Sequence, residues 1–153
     1  MKKTIKIIAF TAISAFTLSA CNDDDDETVI SADNLPAAAK SFLSTYFSNE
    51  SVVKVEKNAP GEADGTLYEV DLTNGYEVDF TEQGNWTDVS QDDDTKTIPI
   101  GFIPEKIVQY ISTNYPNAGI NSIDTEINIY EVELNNQLDL FFDLEGNFLR
   151  IDP

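Results

Sequence analysis

Two stretches of the chain alternate apolar and polar positions with a strict period of two. Tyr68, Val70 and Leu72 alternate with Glu69 and Asp71, and Tyr76, Val78 and Phe80 alternate with Glu77 and Asp79. That period places one set of side chains on each face of a half-buried strand. Asn74-Gly75 lies between them, a pair suited to a two-residue hairpin turn that needs positive φ. Val53 and Val55 alternate with Lys54 and Glu56 just upstream. Gln83-Gly84-Asn85 turns the chain again, and Trp86 to Val89 closes the meander. Before these strands the apolar spacing changes to that of a helix. Leu35, Ala39, Phe42, Leu43 and Tyr46 share a face, Pro36 suits a first turn, and the helix stops at Asn49.

The same order then recurs. Pro104 opens a second helix with Ile107, Tyr110, Ile111 and Tyr115 on one face, ending at Pro116-Asn117. Ile123 and Ile127 flank a less regular strand. Tyr130, Val132 and Leu134 come next, followed by Leu138, Leu140 and Phe142. The segment Tyr68-Glu69-Val70-Asp71-Leu72-Thr73-Asn74 aligns with Tyr130-Glu131-Val132-Glu133-Leu134-Asn135-Asn136, and Gly84-Asn85-Trp86 with Gly146-Asn147-Phe148, both at an offset of 62. Leu35-Pro36 matches Ile103-Pro104, and Leu43-Ser44-Thr45 matches Ile111-Ser112-Thr113, at an offset of 68. The extra residues of the first copy fall near Asn58 to Gly65, a loop by composition. Two matched segments in the same order indicate a duplicated unit. The expected fold is α+β: two tandem helix-plus-four-strand repeats sharing one antiparallel sheet, with helices on one face and the other face open. The repeats span residues 31–91 and 98–153, joined by an acidic linker at 92–97.

Alternation sorts the two faces. Tyr68, Val70, Leu72, Tyr76, Val78 and Phe80 should meet the helices, as should Tyr130, Val132, Leu134, Leu138, Leu140, Phe142, Val89, Leu149 and Ile151. The open face should then carry Glu69, Asp71, Glu77, Asp79, Glu131, Glu133 and Asp139. It should also carry Trp86, Phe141 and Phe148, with Arg150 nearby. Aromatic side chains are enriched among binding hot spots. Trp86, Phe141, Phe148, Glu77, Asp79, Glu131 and Asp139 are therefore the candidate partner-binding residues.

The amino terminus has a different character. Lys2, Lys3 and Lys6 precede an apolar run from Ile7 to Leu18 that is too short for a permanent span, the layout of a secretory signal over residues 1–20. Leu18-Ser19-Ala20-Cys21 resembles the lipobox of bacterial lipoproteins. In that family a peptidase cuts before the cysteine, whose thiol carries the lipid, so Cys21 is the expected anchor. Asn22-Asp23-Asp24-Asp25-Asp26-Glu27 opens an acidic tether over residues 21–30 that is too charged and too polar to fold by itself. Asp23, Asp24, Asp25 and Asp26 resemble the surface-export signal of lipoproteins in the Bacteroides group. This implies an outer-membrane lipoprotein displayed at the cell surface, with the periplasmic face as the alternative.

The folded unit resembles the PepSY-like family, also described as β-lactamase-inhibitor-like (BLIP-like). The resemblance rests on the Leu35-Pro36 and Ile103-Pro104 helix starts, the Tyr-Glu-Val-Asp/Glu-Leu strands and the two Gly-Asn turns. It implies a curved antiparallel sheet with helices on one face, and binding through the exposed face.

Charge and composition narrow the chemistry. The full chain has 9 basic and 28 acidic residues and a formal charge of −19. Loss of the three signal lysines leaves 6 against 28, or −22. Nucleic-acid binding needs Lys and Arg, so it is not expected. An anionic membrane surface is equally unsuitable, leaving the lipid as the only membrane contact. A protein partner with a basic patch fits. The chain has no His and its one Cys is the lipid site, so neither nucleophilic catalysis nor zinc binding is indicated. Asp92-Asp93-Asp94 lacks the ligand spacing of an EF-hand loop. The reading is a non-catalytic envelope protein, without cofactor or metal, that binds a partner through its open sheet face. The alternatives are an inhibitor of a peptidase or other enzyme, and a calcium-dependent structural or adhesion element.

Overall fold

Each alternating segment pairs with its neighbour in sequence, and the result is a single meander. The computed structural model of the protein describes residues 28–58 and 65–152. Nine antiparallel strands lie side by side in chain order: β1 (Thr28–Val29), β2 (Val52–Lys57), β3 (Thr66–Leu72), β4 (Tyr76–Thr81), β5 (Trp86–Gln91), β6 (Ile120–Thr125), β7 (Ile129–Leu134), β8 (Asp139–Asp143) and β9 (Phe148–Asp152). Helix α1 (Ala37–Tyr46) precedes β2, and α2 (Glu105–Asn114) precedes β6. The connection between β3 and β4 is the three-residue turn Thr73–Gly75 rather than the expected two-residue one, with positive φ at Asn74 (63°) and Gly75 (80°).

The register explains the core. One row of apolar side chains runs straight across eight strands: Val55, Val70, Val78, Val89, Ile123, Val132, Leu140 and Ile151. All but the edge residue Ile151 are buried. Ala39 and Leu43 of α1 and Ile107 and Ile111 of α2 join the same buried cluster, so both helices pack on this face. Each fully buried aliphatic side chain contributes about 1.5–3 kcal/mol. The row crosses the β5–β6 seam through the Val89–Ile123 pair, and this makes one core of the two halves.

Two glycines fix the distance between helices and sheet. Gly84 in the β4–β5 turn and Gly146 in the β8–β9 turn have φ of 83° and 79°. A Cβ on Gly84 would lie 2.8 Å from the Ala39 backbone N and 2.9 Å from Pro36 Cβ, so α1 would have to shift. At Gly146 the nearest atom is Lys106 Cβ at 3.1 Å, a milder approach to α2. Gly84→Ala is therefore expected to cost about 3 kcal/mol through left-handed strain plus clash. Gly146→Ala should cost about 1–2 kcal/mol, mostly strain. Equal midpoint shifts in urea would show that α1 does not rest on this turn.

Several expectations change. Thr28 and Val29, read as tether, form an edge strand paired with Lys57 and Glu56. The linker at 92–97 is tied down: Thr95 donates from both its N–H and its hydroxyl to Asp93 Oδ1, and Asn121 Nδ2 donates to the carbonyls of Asp93 and Lys96. The larger corrections concern the last strand of each half. A bulge between β4 and β5 sets Trp86 opposite Phe80 while Val89 remains opposite Val78. A second bulge sets Phe148 opposite Phe142 while Arg150 remains opposite Phe141. One extra residue reverses the alternation beyond it. Trp86 and Phe148 consequently lie on the helix side, half-buried against the core. Leu149 is 52% exposed and Ile151 38%, so neither is the buried core residue that alternation predicts.

Candidate functional site

The face opposite the helices carries two rows of carboxylates, placed there by the residues that alternate with the apolar row. On β2–β4 one row reads Glu56, Glu69, Asp79. Across the bulge it resumes as Asp88, Asp124, Glu131, Phe141, Arg150. The second row reads Lys54, Asp71, Glu77, Ser90 in the first half, and Ser122, Glu133, Asp139, Asp152 in the second. Apart from Asp152, which is exposed, these carboxylates are half-buried. Directly opposed residues on adjacent strands have Cβ atoms about 5 Å apart, so like charges there repel.

Local partners hold parts of the rows in place. Lys54 Nζ lies 2.5 Å from Glu56 Oε1, and Asn58 Nδ2 donates to Glu69 Oε1 at 2.8 Å. Arg150 pairs with Asp152, and its guanidinium sits 3.5 Å from the centroid of the Phe141 ring. Phe141 is on the expected face, but Arg150 covers it and only 5% of its surface is exposed. The open face is thus acidic rather than aromatic. Of the sequence candidates, it gathers Glu77, Asp79, Glu131, Asp139 and Phe141, and it excludes Trp86 and Phe148. Cys21 and Asp23 to Asp26 lie outside the described residues. Asp88 and Asp124, where β5 meets β6, join this face without being apparent from the alternation. The bulge in β5 hides Asp88, and the irregular pattern around Ile123 hides Asp124.

Glu131 sits among several of these like charges. Burial pushes its pKa up, and the neighbouring charges of Asp139, Glu126 and Asp124 add to the rise. A carboxyl with a raised folded-state pKa holds its proton longer in the native state than in the unfolded chain. Its charge therefore opposes folding above the folded pKa, and the penalty vanishes as pH falls below the ordinary carboxylate value of about 4. Glu131→Gln should accordingly raise the urea midpoint at neutral pH and lose that advantage in acid. An unchanged midpoint at neutral pH would contradict the assigned environment.

Among the described residues, no group of three or more His, Cys, Asp or Glu side chains is placed to hold a metal ion. The rows are spread along the sheet rather than focused on a point.

Comparison with known proteins agrees with this architecture. The family described as "Putative beta-lactamase-inhibitor-like, PepSY-like" matches residues 24–63 and 66–150. The chain belongs to that family. Among solved structures it is similar to a Bacteroides thetaiotaomicron protein described as a "putative calcium-regulated periplasmic protein", at 34% identity and a TM-score of 0.76, covering 84% of this chain and 98% of that one. Two Bacteroides vulgatus proteins, each described as a "putative periplasmic protein", are also similar. One has 32% identity and a TM-score of 0.74 over 85% of this chain and 99% of its own. The other, described as of unknown function, has 29% identity and a TM-score of 0.74 over 83% and 99%. None of the three is described as an enzyme. Among curated proteins nothing matches the chain.

Proposed function

We propose that this chain is an exported, lipid-anchored, non-catalytic binding protein built from two copies of one helix-plus-four-strand unit. Its open sheet face engages a protein partner that presents Lys and Arg. The observation that carries the reading is the pair of carboxylate rows on one continuous, half-buried sheet face. A surface of one sign concentrates and steers partners of the other sign, and here the sign is negative. The family's inhibitor-like description supports a special case in which the partner is an enzyme. The periplasmic description of the relatives supports export, in line with the amino-terminal signal. Cys21 then serves as the lipid anchor and Asp23 to Asp26 as spacer and surface-export signal.

The alternative reading is a calcium-dependent structural or adhesion element, and the description of one relative as a "putative calcium-regulated periplasmic protein" supports it.

Association kinetics test the proposal. Glu77→Lys with Asp79→Lys should slow association about tenfold at low salt and flatten its salt dependence, with little change in the dissociation rate. A double variant that associates as fast as the native chain would rule this face out. Anchoring is checked separately: Cys21→Ser should move the protein from the membrane fraction to the soluble one and abolish lipid labelling. Retention in the membrane fraction would contradict the anchor.

A further inference from the structure

Phe141 is buried beneath a charged group rather than in the core. Among the described residues it is the one buried apolar side chain outside the hydrophobic core, since its ring lies on the acidic face, away from the helices. On that face β7 sets Glu131 beside it and β9 sets Arg150 on the other side. The Arg150 guanidinium lies over the ring, 3.5 Å from its centroid.

The two residues depart together from the sequence of the first half. At the offset of 62 their counterparts are Asp79 and Asp88, so two carboxylates give way to a ring and a cation. Arg150 is also the only arginine of the chain. Its charge reaches Glu131, where it counters the burial and the Asp139, Glu126 and Asp124 carboxylates that push that pKa up. A guanidinium laid on an aromatic face beside carboxylates satisfies both, because its plane stacks and its charge pairs. The cover is nonetheless loosely held. β9 is the last strand of the sheet, and the Arg150 side chain is 53% exposed. Its ion-pair partner, Asp152, is exposed as well and belongs to the same strand. Ion pairs and cation–π contacts at exposed sites are weak. Moving Arg150 aside breaks these two contacts and leaves the core intact.

We infer that Arg150 is an autoinhibitory stand-in: in the free protein it occupies the place on Phe141 that the guanidinium of a partner's arginine takes on docking. The inference rests on the acidic-face reading above and narrows the partner from a basic protein to one that presents arginine. A lysine fits less well, since a compact ammonium has no plane to lay on the ring. In the free protein the cover keeps an aromatic surface from unselective contacts. A partner gains the site only by supplying the same group, and Glu131 and Asp139 beside it favour that exchange through their charge.

Two probes separate the ring from the charge: acetyl-tetraarginine amide and acetyl-tetralysine amide, titrated by calorimetry at low salt, where charge contacts are least screened. Arg150→Ala removes one positive charge, which favours both peptides, and uncovers the ring, which favours arginine. It should therefore tighten tetraarginine binding at least about tenfold and tetralysine binding by no more than about threefold. Adding Phe141→Leu to Arg150→Ala should abolish that difference. A second readout uses the native chain. Because Arg150 is the only arginine, its side-chain resonances are unambiguous in labelled protein. The Phe141 ring current should shift its δ-methylene protons upfield in the free protein. Saturating unlabelled tetraarginine should return them to ordinary values, and this measurement decides the question if the double variant does not fold. The inference is overturned if Arg150→Ala tightens both peptides equally, if the difference survives Phe141→Leu, or if the Arg150 signals stay in place at saturation. Binding of neither peptide by any form would overturn the acidic-face reading along with it.

Discussion

Val89→Asp should abolish cooperative folding or cost more than about 4 kcal/mol, because it buries an unpaired charge at the seam of the molecule. Val89 is fully buried, and it pairs with Val78 on one side and Ile123 on the other. The Val89–Ile123 pair is where the apolar row passes from β5 to β6. On the opposite face of the same seam, Asp88 pairs with Asp124. Asp88→Asn and Asp124→Asn should therefore change stability by less than about 1 kcal/mol. Urea denaturation of the three variants gives the comparison. Similar losses at Val89 and Asp88 would mean that the two faces of the seam had been reversed.

Phe142→Ala should destabilise by about 3–5 kcal/mol, as truncation of a fully buried aromatic does. Its ring has no exposure and meets Tyr110 and Phe148 edge-on, with centroids 5.5 and 5.8 Å away. Removing it leaves a void beneath α2 and strips the support from the Tyr110–Phe148 stack. Phe80→Ala should behave likewise beneath α1, where Phe42 meets Phe80 at 5.7 Å. A loss of less than about 1.5 kcal/mol at either site would show that the helices do not clamp the sheet as described.

Strict alternation was the legible part of the sequence. Tyr68 to Leu72 and Val132 to Leu134 revealed strands, register and buried face, because a period of two admits one burial solution. Pro36 and Pro104 marked the helix starts. The pattern failed at β5 and β9, where a single inserted residue restarts the alternation. Trp86 and Phe148 look outward on a simple count, yet each lies opposite a core phenylalanine. Nothing local in Trp86-Thr87-Asp88-Val89 announces the bulge, since it arises from pairing with β4. Phe141 was placed on the correct face, but its cover came from Arg150 on a neighbouring strand, a contact set by cross-strand register. The acidic character of the open face was readable from Glu69, Asp71, Glu77 and Asp79. Its continuity through Asp88 and Asp124 depended on β5 and β6 being neighbours.

The acidic sheet face is expected to select a basic protein partner. The most direct measurement is a paired affinity capture from envelope extract, using the mature chain beside a folded Glu131→Lys, Asp139→Lys variant, with quantitative mass spectrometry of both. The native chain should retain a protein rich in surface Lys and Arg, which the charge-reversed variant loses at least about tenfold and moderate salt releases. Equal retention by both forms, or a retained set without basic character, would contradict it.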